Sequence, residues 1–168
     1  MSHPVDLPAA AGGQRDADGR LVGLVFDSSP PLTAPTDNPW LVAVDSSDNA
    51  LRAVAQAATQ AGAMTACALH LVSVQPWLSL EAAEAELARR AWQTTARART
   101  LLDARGQPWR LHVAMGETAE QILALAGEIG CSRIVIGSRG LSVTESLLLG
   151  SLTSKLMHLS PRPVMVVP

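Results

Sequence analysis

The stretch from Arg133 to the end leaves this chain few folds to choose from. A short apolar run, Arg133-Ile134-Val135-Ile136, stops at Gly137, passes through Arg139 and Gly140, and resumes at Gly150-Ser151 as a helix-like segment before a second apolar run, Val164 to Val167. Strand, glycine loop, helix and strand in that order make a crossover unit, the usual way for two parallel strands to be joined. Amides freed at glycines and at the start of a helix point their N–H groups outward and favour an anion such as a phosphate. Ser151, Thr153 and Ser154 add hydroxyls in the first turn of that helix. The stretch therefore predicts a phosphate site.

Upstream, the same alternation repeats. Trp40-Leu41-Val42-Ala43-Val44 is a continuous apolar run of the length expected for a strand buried on both faces. It ends at Asp45-Ser46-Ser47, where Ser46 or Ser47 can cap a helix whose Ala50, Ala53, Val54, Ala57, Ala58 and Ala61 share one face before Gly62 stops it. A second strand, Ala66 to Val74, leads into a long polar helix from about Leu80 to Asp103, acidic near its start and basic near its end. A third strand, Trp109 to Val113, precedes a helix from Thr118 to Gly130, with Thr118 and Gln121 as a capping box. Regular alternation of this kind predicts an α/β fold: an open five-stranded parallel sheet, doubly wound, with helices on both faces. Ligands in such sheets bind beyond the carboxyl ends of the strands, where the strand order reverses. The two loops rich in chemistry, Asp45-Ser46-Ser47 and Gly137 to Gly150, both lie at carboxyl ends.

Residues 1–38 differ from the rest. Pro4, Pro8, Pro30, Pro31 and Pro35 punctuate a segment rich in Asp, Ser and Gly, which predicts a mostly irregular extension ahead of a domain over 39–168. Within it Leu21 to Phe26 is apolar, and six residues do not distinguish a short strand from a hydrophobic tether. Such a segment suits packing on a sheet edge or on a second subunit.

Thirteen basic and fifteen acidic residues give a net charge of −2 with no basic cluster, which argues against a nucleic-acid partner. Cys67 and Cys131 lack metal-ligand spacing and read as small buried hydrophobes, consistent with a reducing cytoplasm. The beginning, MSHPVDLPAAAGG, does not read as a secretory signal, and no stretch reaches the ~20 apolar residues that insertion into a bilayer needs. His3, His70, His112 and His158 are scattered, and of these His70 sits closest to the proposed pocket. No acidic pair stands out as a metal site, and no glycine stands before Lys155 where a lysine-bearing phosphate loop requires one.

The spacing Gly137-x2-Gly140-x9-Gly150-Ser151 resembles the nucleotide signature of the universal stress protein family. The likeness runs from Trp40 to Pro168 and includes the strand ending in Asp45, Leu69-His70-Leu71, Val113 to Gly116, and the closing Pro163-Val164-Met165-Val166-Val167. It implies an adenine nucleotide hydrolase-like sheet of order 3-2-1-4-5 and an ATP-binding, cytoplasmic stress-response protein acting as a sensor or regulatory module. It also implies the ligand set. Val44 and Asp45 correspond to positions around adenine and ribose, Leu71 to a surface against the base, and Gly137, Arg139, Gly140, Gly150, Ser151, Leu152 and Thr153 to positions around ribose and phosphates. A bound triphosphate would bring its own Mg²⁺.

Physically, Asp45 can accept from a ribose hydroxyl or an adenine amino group, and the Gly150-Ser151 amides offer an anion hole. With no base positioned by sequence, catalysis is expected to be absent or slow. A protein-interaction module for a regulatory protein partner, without a physiological nucleotide, and a slow ATP hydrolase are the alternatives. Assembly follows from the last strand: an apolar edge with Pro163 and Pro168 at its ends exposes a run of four donors, suited to a homodimer paired through 164–167. The alternative is a monomer whose edge is covered by Leu21 to Phe26.

Overall fold

A computed structural model describes residues 6–139 and 149–168. In chain order the elements are β1 (Gly12–Arg15), β2 (Leu21–Asp27), β3 (Pro39–Ala43), α1 (Asp48–Gly62), β4 (Ala68–Gln75), α2 (Leu80–Thr94), α3 (Ala96–Ala104), β5 (Trp109–Met115), α4 (Thr118–Ile129), β6 (Arg133–Gly137), α5 (Ser151–Leu159) and β7 (Val164–Val167). The expected α/β architecture is present. The sheet, however, has seven strands rather than five, in the order β1-β2-β5-β4-β3-β6-β7. The parallel part, β5-β4-β3-β6-β7, follows the expected 3-2-1-4-5 order, and the antiparallel pair β1–β2 adds to its β5 edge.

That placement makes Leu21 to Phe26 a strand on a sheet edge, one of the readings its sequence left open. Leu21 to Phe26 does not cover β7; it lies at the far side of the sheet, with Val25 opposite His112 and Asp27 opposite Arg110. Phe26 is the anchor, buried in the core and tilted against Trp92 at 5.2 Å between ring centroids. Burying a phenylalanine stabilises by ~1.5–3 kcal/mol. Ser28 then ties the chain down: its hydroxyl donates to Pro30 O at 2.7 Å and accepts from the Trp109 N–H at 2.9 Å.

Alternation along the central strand builds a core on each face. Trp40, Val42 and Val44 pack with Ala53 and Ala57 of α1, Leu87 of α2 and Leu102 of α3. Leu41 and Ala43 face the other way, onto Ile122 and Ala126 of α4 and Leu156 of α5. Alanine dominates the buried stripe of α1, which lets that helix lie close to the sheet.

Two local expectations change. The long helix over 80–103 is broken at Thr95, whose φ of −98° and ψ of 2° lie outside the helical region. Its buried hydroxyl donates to Ala91 O at 2.8 Å and accepts from Arg99 Nε at 3.1 Å, while the Arg99 guanidinium lies 3.3 Å over the Trp92 ring. The cap of α4 is Glu117, not Thr118: its carboxylate accepts from the Glu120 N–H at 2.7 Å.

Candidate functional site

A cleft of about 290 Å³ opens at the carboxyl ends of β3 and β6, where the strand order reverses. Ala43, Val72, Val74, Ile122 and Ile136 give it an apolar floor; Val44, Asp45, Ser47 and Ala50 form one wall, and Gly137, Arg139, Gly150, Ser151, Leu152 and Thr153 another, with Thr118 at the α4 end. Eight of the expected residues thus meet in one place. Gly140 lies outside the described residues, and Leu71 lies elsewhere.

Leu71 is fully buried on the α2 side of the sheet, packed with Val42 and Leu87. Its neighbour Val72 faces the cleft instead. Successive residues of a strand point to opposite faces, so a one-residue difference moves the apolar contact through the sheet.

The carboxylate end is held by a short turn. Asp45 Oδ1 accepts from the Ser47 N–H at 2.8 Å, and Ser47 Oγ accepts from the Ala50 N–H at 3.0 Å as the cap of α1. Asp45 therefore orients the loop without capping the helix itself. Its other oxygen has no partner among the described residues, and the side chain is half-exposed on the cleft wall. Val44 continues the β3–β4 pairing through its N–H to Val72 O at 2.9 Å.

At the other wall the groups divide between framework and open donors. The Gly150 N–H is already used, donating to Ser138 O at 2.8 Å. The Thr153 hydroxyl is used too: it is buried and donates to Gly137 O at 2.8 Å, fastening the first turn of α5 to the end of β6. The N–H groups of Ser151, Leu152 and Thr153 remain without a partner among the described residues, and no side chain caps this helix among them. Three parallel N–H groups at a helix start attract an anion.

Gly137 has a packing reason of its own. A Cβ there would meet Asn49 Oδ1 at 2.7 Å and Asn49 O at 2.9 Å, so α1 lies directly on the end of β6. Asn49, absent from the sequence-based site, is buried beside it, with Oδ1 accepting long contacts from Ser138 Oγ and the Arg139 N–H, each at 3.4 Å. Its signal was available: it stands four residues before Ala53 and eight before Ala57, a polar residue in an apolar stripe. At the rim Lys155 pairs with Glu117 at 3.1 Å, and the Glu120 N–H bond, aided by Lys155, holds the Glu117 carboxyl below its ordinary range.

His70 does not line this cleft. It is buried against His112 of the neighbouring strand, Nδ1 to Nε2 at 2.9 Å, a pair that sequence spacing did not bring together. Of the cysteines, Cys131 is buried and Cys67 half-buried, and burial pushes the Cys67 thiol up to about 11.

Residues 39–168 match the universal stress protein family. Universal stress protein YxiE of Bacillus subtilis (strain 168) is 48% identical over 54 residues, which is 32% of this chain and 36% of that protein. The matched stretch thus spans about a third of that relative's length. Among solved structures, a universal stress protein from Archaeoglobus fulgidus aligns with a TM-score of 0.65 at 26% identity, covering 77% of this chain and 98% of its own. The structure of the universal stress protein from Archaeoglobus fulgidus in complex with dAMP aligns with a TM-score of 0.61 at 23% identity, covering 77% and 97%. The family match begins where β3 begins, so β1, β2 and the strap after them lie outside it.

Proposed function

We propose that this chain, which belongs to the universal stress protein family, is an ATP-binding regulatory module whose occupied cleft alters the surface of a homodimer paired through β7. The observation that carries this reading is the meeting, in one cleft, of an apolar floor, the half-exposed Asp45 carboxylate and three first-turn amides of α5 that have no partner among the described residues. An apolar pocket with a few convergent polar groups is the ordinary form of a small-molecule site. The dAMP complex of the structural neighbour supports an adenine nucleotide as the ligand class. In this reading the base lies on Val72 and Val74, Asp45 accepts from ribose or base, and the Ser151, Leu152 and Thr153 amides with Arg139 face the phosphates. Thr153 contributes its N–H, since its hydroxyl is committed to Gly137. Mg²⁺ would arrive with the triphosphate, and the assignment is to binding or slow hydrolysis rather than rapid turnover.

Isothermal titration calorimetry with ATP, ADP and AMP, each with and without Mg²⁺, tests it. The expected affinity is micromolar, about −8 kcal/mol. Asp45→Ala is expected to weaken it about tenfold, as loss of a hydrogen bond to a charged group does. Absence of heat with all three nucleotides refutes the proposal.

A further inference from the structure

Besides the Ser28–Trp109 bond and the Asp27–Arg110 ion pair, the extension that lies outside the family match meets the parallel sheet at a pair of histidines. His70 on β4 and His112 on β5 stack with centroids 5.1 Å apart and planes 21° from parallel. His70 Nε2 is 2.8 Å from Pro35 O in the strap that follows β2, and its Nδ1 is 2.9 Å from His112 Nε2. A carbonyl only accepts, so His70 carries its proton on Nε2 and its Nδ1 accepts the His112 Nε2–H. One further proton leaves an N–H to donate across that gap. Two would set N–H against N–H. The closed pair therefore holds at most one extra proton, whereas two separated, hydrated imidazoles take up two.

We propose that the His70–His112 pair is an acid-sensitive latch that holds the β1–β2 extension and its Pro35 strap on the β5 edge and releases them as the pH falls. The charged groups around the pair come from every element packed there. Asp27 of β2 pairs with Arg110 of β5 at 2.8 Å, while Asp16 of the β1–β2 turn and Glu128 of α4 line the same groove of about 510 Å³ as His112. Burial first, then His70 and Arg110, push His112 down to about 4, and burial lowers His70 as well, outweighing its bond to Pro35 O, which acts the other way. Both shifts oppose protonation of the closed form, so the sign is that of a base with a depressed folded value: attachment is strongest at neutral pH and weakens as pH falls below about 6.5, where the freed imidazoles charge.

Each proton that the closed pair excludes shifts the opening equilibrium about 30-fold at pH 5, a gap of roughly 1.5 units from the free imidazole value. Amide hydrogen exchange of the full chain reads it directly. Between pH 7.5 and 5, with intrinsic exchange rates divided out, protection of the β2 amides is expected to fall about 30-fold or more while β3 and β6 hold theirs. Unchanged β2 protection overturns the proposal, and so does an equal fall in all three strands, which is global acid unfolding. His70→Gln combined with His112→Gln keeps amide donors and acceptors without titrating, and is expected to abolish the pH dependence. Persistence of the fall in that variant also overturns the latch. The wild-type comparison between strands decides on its own if the variant does not fold.

Discussion

Gly137→Ala places a single methyl group where α1 crosses the end of β6, and its effect can be worked from the contacts there. The new Cβ would sit 2.7 Å from Asn49 Oδ1, 2.9 Å from Asn49 O and 3.0 Å from Asn49 C. Two of the three atoms are backbone, so rotation of a side chain does not relieve the clash; α1 must move off the sheet. Overpacking of this kind costs ~1–3 kcal/mol, a fall in Tm of about 2–4 °C per kcal/mol for a chain of this size. The backbone itself is not the reason for glycine here, since Gly137 is not at positive φ. Two other glycines separate the causes. Gly130→Ala meets nothing within 4 Å but sits at φ +62°, and is expected to cost about 1 kcal/mol from conformation alone. Gly62→Ala has open space and no positive φ, and is expected to be neutral or stabilising by a few tenths to about 1 kcal/mol. Adding Asn49→Ala to Gly137→Ala removes the 2.7 Å contact but leaves the carbonyl at 2.9 Å, so it recovers only part of the loss. Urea denaturation at pH 7 with unchanged m-value measures each difference. If Gly137→Ala is as harmless as Gly62→Ala, the close approach of α1 to β6 is not what requires glycine.

Glu117→Gln should lower Tm at pH 7, because the charged cap of α4 and its Lys155 partner are both weakened. The Glu117 carboxyl titrates below its usual 4.5, so its stabilisation is complete above that value and is lost as pH falls through the lower folded value; the two proteins are expected to converge in acid, and a constant gap would contradict the cap. For the proposed dimer, Pro163 O and Val167 O accept from the Ile134 and Ser138 N–H groups, at 2.9 and 2.8 Å, so residues 163, 165 and 167 face β6. The outward donors are then those of Val164 and Val166, not the run of four expected from sequence, and Val166→Pro rather than Met165→Pro is the change that should convert a dimer to monomers by light scattering without breaking the β6–β7 ladder.

The alternation of apolar runs and helices made the parallel sheet legible, because each run is short, continuous and closed by a glycine or a capping serine. Asp45 was legible because a carboxyl end is where a strand stops and stopping residues stand out, and Ser151 because it follows a glycine at a helix start; Arg139 came only with the family resemblance. Leu71 and Val72 could not be told apart, since a strand buried on both faces has no alternation to reveal which residue faces which side. Thr153 and Gly150 belong to the right loop but spend a hydroxyl and an amide on the framework, which depends on β6 standing 2.8 Å away. The partner of Leu21 to Phe26 was invisible because it lies on β5, far along the chain, and nothing local to either strand encodes the pairing. The break at Thr95 hides among good helix formers and shows only in the two hydrogen bonds of a buried hydroxyl.

The β2–β5 pairing also sets an order of events during synthesis. Asp27 and its partner Arg110 are 83 residues apart, so at ~5–20 residues per second the ribosome makes β2 roughly 4–17 s before the strand it will join. Over that interval the nascent chain carries an apolar segment with no sheet edge to accept it. The prolines at 30, 31 and 35 and the Asp27-Ser28-Ser29 step directly follow it, the kind of flanking residues that keep an exposed hydrophobic strand from pairing with another chain while it waits.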